Sequence, residues 1–219
     1  MNIFEIKDNC RANFNKYTRK AFESIPKIEN PNILDLGCGT GVPTLEIANL
    51  TNGNILAIDS DKECLDWLKQ KIKILNYDER ISVIHGSVFT VNIPENNYDI
   101  ILAEGLFNII GFEKGLLNFS KFLKANGYFM IHDEFQNREK KLHIIEEYQF
   151  KLVESFILDE NIWWNEYYSC LEKKIMDFEK EIANDINSNK VFKREKSEID
   201  MYKKNPLKFR SIYYVLKKI

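Results

Sequence analysis

The amino-acid sequence predicts an α/β protein with a doubly wound, mostly parallel sheet that carries helices on both faces. Short apolar runs alternate with amphipathic helical patterns along most of the chain, and the connections between them are short. One apolar run ends in a glycine-rich turn, "ILDLGCGTG" at 33–41, directly before a helical pattern. At 219 residues, the chain is long enough for one such domain with an elaboration.

The first elements surround the glycine-rich turn. Residues 11–25 place apolar side chains at helical spacing, "NILDLG" predicts a buried strand, and "VPTLEIANL" predicts the helix after it. "GNILAIDSD" predicts a second strand, and the apolar stripe of "DKECLDWLKQKIKILN" predicts another helix. Strands that alternate with helices in this way are expected to lie parallel in one sheet.

Three further strands follow in the middle of the chain. "RISVIHGS" and "YDIILAEG" predict the third and fourth strands, and "GYFMIHDEF" predicts the fifth. Between the last two, "KGLLNFSKFLKANG" predicts a helix that stops at Gly127.

The pattern changes after residue 135. "REKKLHIIEEY" predicts a helix, "QFKLVESFIL" a strand and "RSIYYVLKK" a closing strand, with about fifty charged, helical residues between the two strands. Such a length indicates an inserted helical cap. The sequence therefore predicts one domain made of an N-terminal helical lid at 1–30, a cofactor-binding core at 31–158, the cap at 159–206 and the closing strand at 207–219.

Composition narrows the functional classes. The net charge of −2 gives no global attraction to nucleic acid or anionic membrane, and the basic stretch from residue 190 shows no known nucleic-acid module. The N-terminus lacks the apolar region of a signal peptide, and no stretch has the apolar length of a membrane-spanning helix. The four cysteines have no zinc-ligand spacing, so we expect reduced thiols, no metal and a cytoplasmic protein.

The glycine-rich turn predicts a nucleotide-like cofactor, because glycines let the backbone approach a ligand closely at a helix N-terminus. Gly37, Gly39 and Gly41 give GxGxG, whereas a dinucleotide fingerprint is GxGxxG. Asp35 stands two residues before the first glycine. A carboxylate there would oppose the phosphates of a dinucleotide and suits a cofactor with an ammonium and a sulfonium group.

From about residue 14 to its end, the chain resembles the class I S-adenosylmethionine-dependent methyltransferases. "ILDLGCGTG" is similar to the first motif of that family, and "LAIDSD" to the second, whose acid takes the ribose hydroxyls. The resemblance implies a seven-stranded Rossmann-like sheet with an antiparallel last strand, and a cofactor site. Its expected members are Tyr17, Asp35, Gly37, Cys38, Gly39, Gly41, Asp59, Ser60, Ser87, Val88 and Glu104.

One position departs from the family pattern. The third strand of these enzymes often ends in an acid that binds the adenine amino group, and here Ser87 stands in that place. A hydroxyl can still accept a hydrogen bond from the adenine, and the backbone of Val88 can contribute to binding it.

Candidate acceptor-site residues lie where the later strands end, because ligands bind at the carboxyl ends of the strands in such sheets. "AEGLFN" contributes Asn108, and "IHDEF" contributes His132 as a candidate general base, with Glu134 orienting the substrate. Four cap aromatics and one N-terminal arginine complete the candidates: Trp163, Trp164, Tyr167, Tyr168 and Arg19. The rings could floor a pocket or simply pack the cap onto the sheet.

The sequence thus favours methyl transfer from S-adenosylmethionine, with release of S-adenosylhomocysteine, to a small-molecule acceptor. Three alternatives stay open: a protein or RNA methyltransferase that docks through the charged cap, a nicotinamide-dependent oxidoreductase, and a protein that binds the cofactor without catalysis. The sequence shows no clear oligomeric interface, so the oligomeric state stays open, with a homodimer as one alternative.

Overall fold

The computed structural model describes residues 2–181 and 192–219, so residues 182–191 of the expected cap lie outside the described part. Its centre is a seven-stranded sheet with the order β3-β2-β1-β4-β5-β7-β6. The strands are β1 Asn32–Leu36, β2 Asn54–Asp59, β3 Ile81–His85, β4 Tyr98–Glu104, β5 Leu123–Glu134, β6 Phe150–Leu158 and β7 Ser211–Lys218.

Helices connect these strands and flank the sheet. The described helices are α1 Ile3–Arg11, α2 Asn15–Glu23, α3 Val42–Leu50, α4 Lys62–Ile74, α5 Phe107–Ile110, α6 Phe112–Phe119, α7 Arg138–Glu147, α8 Glu160–Trp163, α9 Ser169–Glu181 and α10 Lys193–Lys204. A π-helical segment, Trp164–Tyr168, joins α8 to α9. The helices from α8 to α10 lie between β6 and β7 in the chain, and we call residues 159–181 and 192–206 the cap.

The strand directions confirm the predicted fold class. β1 pairs in parallel with β2 and β4, β2 with β3, and β4 with β5. The last strand, β7, runs antiparallel between β5 and β6. Buried side chains form one apolar cluster on each face of the sheet, as expected for a sheet covered on both sides. The carboxyl ends of β1, β2, β4 and β5 therefore meet at one edge.

The helix predicted to run to Gly127 ends earlier, and that prediction is wrong. α6 ends at Phe119, a short 3₁₀ turn follows, and β5 already begins at Leu123, which pairs with Tyr98. Leu123 is fully buried in the cluster on that face. Burial of this leucine beside β4 outweighs the helical spacing of the segment.

The single helix predicted over 11–25 is divided in the structure. α1 ends at Arg11, residues Ala12–Phe14 form a 3₁₀ turn, and α2 begins at Asn15. Phe14, at the turn, is fully buried and lies with its ring centroid 4.6 Å from that of Trp163. The tighter turn places the Phe14 ring against the cap. This contact is the reason that the predicted continuous helix is interrupted.

The expectation that all thiols are reduced is also wrong. Cys10 of α1 and Cys170 of α9 form a disulfide across 160 positions of the sequence. The remaining two, Cys38 and Cys64, are free. The disulfide ties the N-terminal helix to the cap. Among the described helices, none is both long and apolar enough to cross a bilayer.

Candidate active site

The glycine-rich turn lies at the carboxyl end of β1 and is open on one side. Gly37, Gly39 and Gly41 all have positive φ, a region that favours glycine. A Cβ added at Gly41 would overlap the Leu68 side chain, whereas one added at Gly39 would meet no atom within 4 Å. Gly41 thus packs the turn closely against α4, whereas Gly39 has an opening beside its backbone.

Asp59 ends β2 beside this opening. Its Oδ2 accepts a hydrogen bond from Gly39 N at 2.7 Å and its Oδ1 accepts one from Asp61 N at 2.8 Å. A carboxylate has about four acceptor positions, so two remain for a diol. The neighbouring Ser60 is exposed, and its carbonyl oxygen lies 3.1 Å from His85 Nε2.

The other expected cofactor residues differ in exposure. Ser87 is exposed and its Oγ accepts a hydrogen bond from Phe89 N at 3.3 Å, while Val88 is buried. Cys38 is also buried, and burial raises the pKa of its thiol. It therefore stays protonated and contributes its backbone and shape to the turn.

Asp35 is enclosed behind the glycine turn. Its Oδ2 accepts a hydrogen bond from Thr44 Oγ1 at 2.6 Å. Burial raises the pKa of Asp35 to about 7, and the charges of Glu104 and Asp59 act in the same direction, against the Thr44 hydrogen bond. Three carboxylates thus share this edge of the sheet, an environment that favours an incoming cation.

The N-terminal helix crosses the same opening. Asp8 of α1 accepts hydrogen bonds from Thr40 Oγ1 at 2.5 Å, Trp67 Nε1 at 2.8 Å and Lys71 Nζ at 2.5 Å. These contacts fasten α1 to the glycine turn and to α4. Asp8 could not be predicted as a site residue from the sequence, because an acid on a short amphipathic helix is usually solvated.

Glu104, at the end of β4, is held by three side chains from distant segments. Its Oε2 accepts from Arg11 Nη2 at 2.7 Å, and its Oε1 accepts from Thr18 Oγ1 at 2.8 Å and Tyr213 OH at 3.0 Å. Only 5% of the glutamate side chain is exposed. Sequence reasoning singled out Glu104 but not its partners. A signal existed for Arg11 and Thr18, which are seven residues apart and share a face at helical spacing.

A cavity of about 360 Å³ continues from Glu104 toward the cap. It lies over the ends of β4 and β5, where the sequence predicted the acceptor site. Its lining residues are Arg11, Glu104, Gly105, Asn108, His132, Asp133, Glu134, Trp163, Tyr168, Glu198, Lys208, Phe209, Arg210 and Ser211. Gly105 has positive φ, and a Cβ added there would meet no atom within 4 Å, so the cavity reaches the backbone.

His132 forms one wall of the cavity. Its ring stacks on Tyr213 at 4.2 Å between centroids and faces Trp163 at 5.9 Å. Its Nε2 lies 2.8 Å from Ser211 Oγ. Burial, together with the nearby positive charge of Arg11, holds the pKa of His132 well below its ordinary value, so the ring is neutral at neutral pH.

Two of the four cap aromatics line the cavity. Trp163 donates from Nε1 to Ser211 Oγ at 3.0 Å, and Tyr168 donates from its hydroxyl to Glu198 Oε1 at 2.8 Å. Trp164 instead stacks on Tyr202, and Tyr167 is buried against its neighbouring rings. The π-helical turn over Trp164–Tyr168 alters the regular i,i+4 spacing, a feature often found at functional sites.

The N-terminal candidates lie apart from the residues that line this cavity. Arg19 donates to Glu46 Oε1 from Nε at 2.9 Å and from Nη2 at 2.7 Å. Tyr17 packs edge-on against Phe14 and under the Lys16 ammonium. Arg11 and Thr18 of the same segment instead reach the site through Glu104.

Fold and site together define a class of protein. The strand order, the glycine turn with its open backbone, and an acid at the end of β2 are the features of class I S-adenosylmethionine-dependent methyltransferases. The chain belongs to the methyltransferase domain family, whose sequence model matches residues 28–175, more than half of its length. An added Cβ at Gly39 or Gly105 would meet no atom within 4 Å, and the Asp59 carboxylate keeps acceptor positions beyond its bonds to Gly39 N and Asp61 N.

The proteins that are similar in sequence to this chain include methyltransferases named for several different acceptors. The chain is 30% identical over 119 residues to the ubiquinone/menaquinone biosynthesis C-methyltransferase of Geotalea uraniireducens, covering 53% of this chain and 51% of that protein. It is 26% identical over 167 residues to the demethylmenaquinone methyltransferase of Lactobacillus johnsonii, covering 74% and 68%. The chain thus spans about half the length of the first of these relatives.

A solved structure shows the same fold over the whole chain. The S-adenosylmethionine-dependent methyltransferase of Thiobacillus denitrificans, in complex with S-adenosyl-L-homocysteine, superimposes with a TM-score of 0.78. The two chains are 15% identical, and the alignment covers 100% of each.

We expect Gly39→Ala to weaken cofactor binding while the protein stays folded. The added methyl group would project into the opening, and the residue keeps a φ of +52° that costs an alanine about 1–2 kcal/mol. Calorimetry with S-adenosylhomocysteine should show a loss of affinity of roughly tenfold or more.

Gly111→Ala is the matched control for this change. Gly111 also has positive φ, and its added Cβ would meet only Lys114 Cβ at 3.9 Å. With φ 95° and ψ 133°, Gly111 should lose at least as much stability on substitution as Gly39 does, and yet the variant should keep its affinity. Equal affinities of the two variants would place the cofactor elsewhere.

Proposed function

We propose that the protein transfers a methyl group from S-adenosylmethionine to a small-molecule acceptor bound in the cavity under the cap. S-adenosylmethionine supplies an activated methyl group when bound, and the chain's own residues position and enclose the acceptor. The observation that carries the proposal is the cavity itself, which opens from Glu104 and Gly105 and is walled by Trp163 and Tyr168.

The dimensions of the cavity support a small acceptor. Pockets for small molecules occupy about 300–1,000 Å³, and a volume of about 360 Å³ falls at the low end. A protein or RNA acceptor would need a groove that leads from the surface to the reacting atom. Here the cap lies over the ends of β4 and β5, and the disulfide between Cys10 and Cys170 holds α1 and α9 together beside it. The protein- and RNA-directed alternative is thereby disfavoured.

The cavity offers both polar and apolar contacts to an acceptor. Glu134 lines it, and its carboxylate has no hydrogen-bond or ion-pair partner in the described residues. We assign it the role of orienting the acceptor and of accepting a proton from a nucleophile that arrives protonated. His132 supplies a second polar group in the lining, and the rings of Trp163 and Phe209 supply apolar area.

Filling the cavity provides the test. Asn108 is an exposed side chain of α5 that lines the cavity, so Asn108→Phe should block an acceptor without touching the glycine turn. We expect unchanged affinity for S-adenosylhomocysteine and a loss of turnover of roughly tenfold or more, measured as S-adenosylhomocysteine released from pooled small metabolites.

Ile109→Phe is the control, since Ile109 is the next residue, is 77% exposed and is absent from the cavity lining. Its turnover should match that of the unchanged protein. Turnover that appears only with protein or RNA substrates, or that survives Asn108→Phe, would overturn the small-acceptor proposal.

A further inference from the structure

Three side chains form a directed hydrogen-bond chain from the cap to the sheet. The indole Nε1–H of Trp163 can only donate, and it donates to Ser211 Oγ at 3.0 Å. The Ser211 hydroxyl keeps one hydrogen of its own to donate. Within the described residues, His132 Nε2 at 2.8 Å is the only acceptor within hydrogen-bond distance of that hydroxyl. Because a buried hydroxyl is rarely left without an acceptor, Nε2 takes this hydrogen and uses its lone pair.

The proton of the neutral imidazole must then be on the other nitrogen. His132 is 4% exposed and Arg11 is a nearby cation, and both disfavour a second proton on the ring. The ring is also held in place by face-to-face stacking on Tyr213. A neutral ring whose Nε2 accepts a hydrogen bond carries its hydrogen on Nδ1. In the described part of the chain, Nδ1 has no hydrogen-bond partner, while His132 lines the cavity.

We propose that Trp163 and Ser211 hold His132 in the tautomer protonated on Nδ1, so that His132 offers the acceptor a hydrogen-bond donor and does not act as a base. Trp163 and Ser211 are positioning residues in this arrangement. The tautomer follows from the hydrogen-bond geometry of Ser211 and the burial of the ring, and its use toward an acceptor rests on the proposed function.

The proposal narrows the chemical class of the acceptor. A fixed N–H donor in the wall of the cavity selects a molecule with an oxygen or nitrogen lone pair at that point, such as a carbonyl, carboxylate or phenolate oxygen. Any proton that the acceptor loses must then pass to another group, and Glu134 is the carboxylate in the lining that has no side-chain partner among the described residues. The donor also aligns the acceptor, since hydrogen bonds to a rigid, stacked ring fix an angle as well as a distance.

Nitrogen-15 NMR of the full chain tests the tautomer without any acceptor. Long-range ¹H–¹⁵N correlation spectra distinguish a protonated ring nitrogen from an unprotonated one, and the His132 signals are those lost in His132→Gln. At pH 7 we expect a protonated Nδ1 and an unprotonated Nε2. Ser211→Ala should shift the population toward the Nε2-protonated form, Trp163→Phe should do so in part, and Ser211→Thr should restore the original spectrum because it retains a hydroxyl.

Trp164→Phe is the control, because Trp164 stacks on Tyr202 and makes no hydrogen bond to Ser211 in the described residues. It should leave the His132 signals unchanged. An Nε2-protonated or doubly protonated His132 in the unchanged protein, or signals identical in Ser211→Ala and Ser211→Thr, would overturn the proposal. Loss of methyl transfer with an intact tautomer signature would instead count against the proposed function alone.

Discussion

Glu104→Gln is expected to cost about 2–4 kcal/mol of the free energy of unfolding. The carboxylate is buried and satisfies Arg11, Thr18 and Tyr213 together, so its neutralisation leaves a guanidinium beside an amide. Breaking a buried pair by removing one charge costs roughly 3–5 kcal/mol, and we discount that value because 21% of the Arg11 side chain reaches solvent. Urea unfolding followed by circular dichroism measures the change.

Glu139→Gln is the control for this prediction. Glu139 also forms an ion pair, with Arg138 at 2.6 Å, but 79% of its side chain is exposed. An exposed pair of this kind contributes less than about 1 kcal/mol. Losses of equal size in the two variants would show that Glu104 does not hold the N-terminal segment onto the sheet.

The stability of the protein should depend on pH through Asp35. Its pKa is raised to about 7 in the folded chain, against 3.8 as the ordinary value. Folding therefore favours the neutral carboxyl. This stabilisation is fully present below about pH 4 and falls as the pH rises toward 7. Above pH 7 the loss is complete and amounts to about 4 kcal/mol. Asp35→Asn removes this dependence, because an amide stays neutral.

The measurement is the difference in the free energy of unfolding between Asp35→Asn and the unchanged protein at pH 4.5, 5.5, 6.5 and 7.5. We expect the variant to gain relative stability steadily with pH. Asp66→Asn serves as the control, since Asp66 is largely exposed and Lys62 lowers the pKa of its carboxyl. A difference that stays flat across this range for Asp35→Asn would mean that the buried carboxyl is charged throughout.

Much of the fold follows from short-range pattern. The apolar runs that form β1, β2 and β4, their parallel direction and the turn after β1 were predicted from the sequence. The helix end that was wrongly predicted at Gly127 shows the limit of that reasoning. The segment after α6 has helical spacing, yet Leu123 pairs with Tyr98 in a distant strand. Helical spacing describes one segment only, whereas the pairing depends on which strand lies beside it.

The site divides in the same way. The spacing of the glycines and the acids at 35 and 59 indicated the cofactor, because the residues of each cofactor-binding motif lie within a few consecutive positions. The acceptor side could be predicted only as a set of candidates. The structure brings His132, Glu134, Trp163 and Tyr168 to one cavity and places Trp164 and Tyr167 in the packing of the cap.

By itself, the sequence determined the class of sheet, the methyltransferase family and the glycine-rich turn after β1, because these depend on neighbouring residues and on strict backbone requirements. Only the tertiary structure decided that Cys10 bonds to Cys170, that Arg11 reaches Glu104, and that Trp163 and Ser211 meet His132. Those partners are 48 to 160 positions apart. Their contacts arise when the lid, the cap and the last strand pack on one edge of the sheet, and no local spacing encodes that meeting.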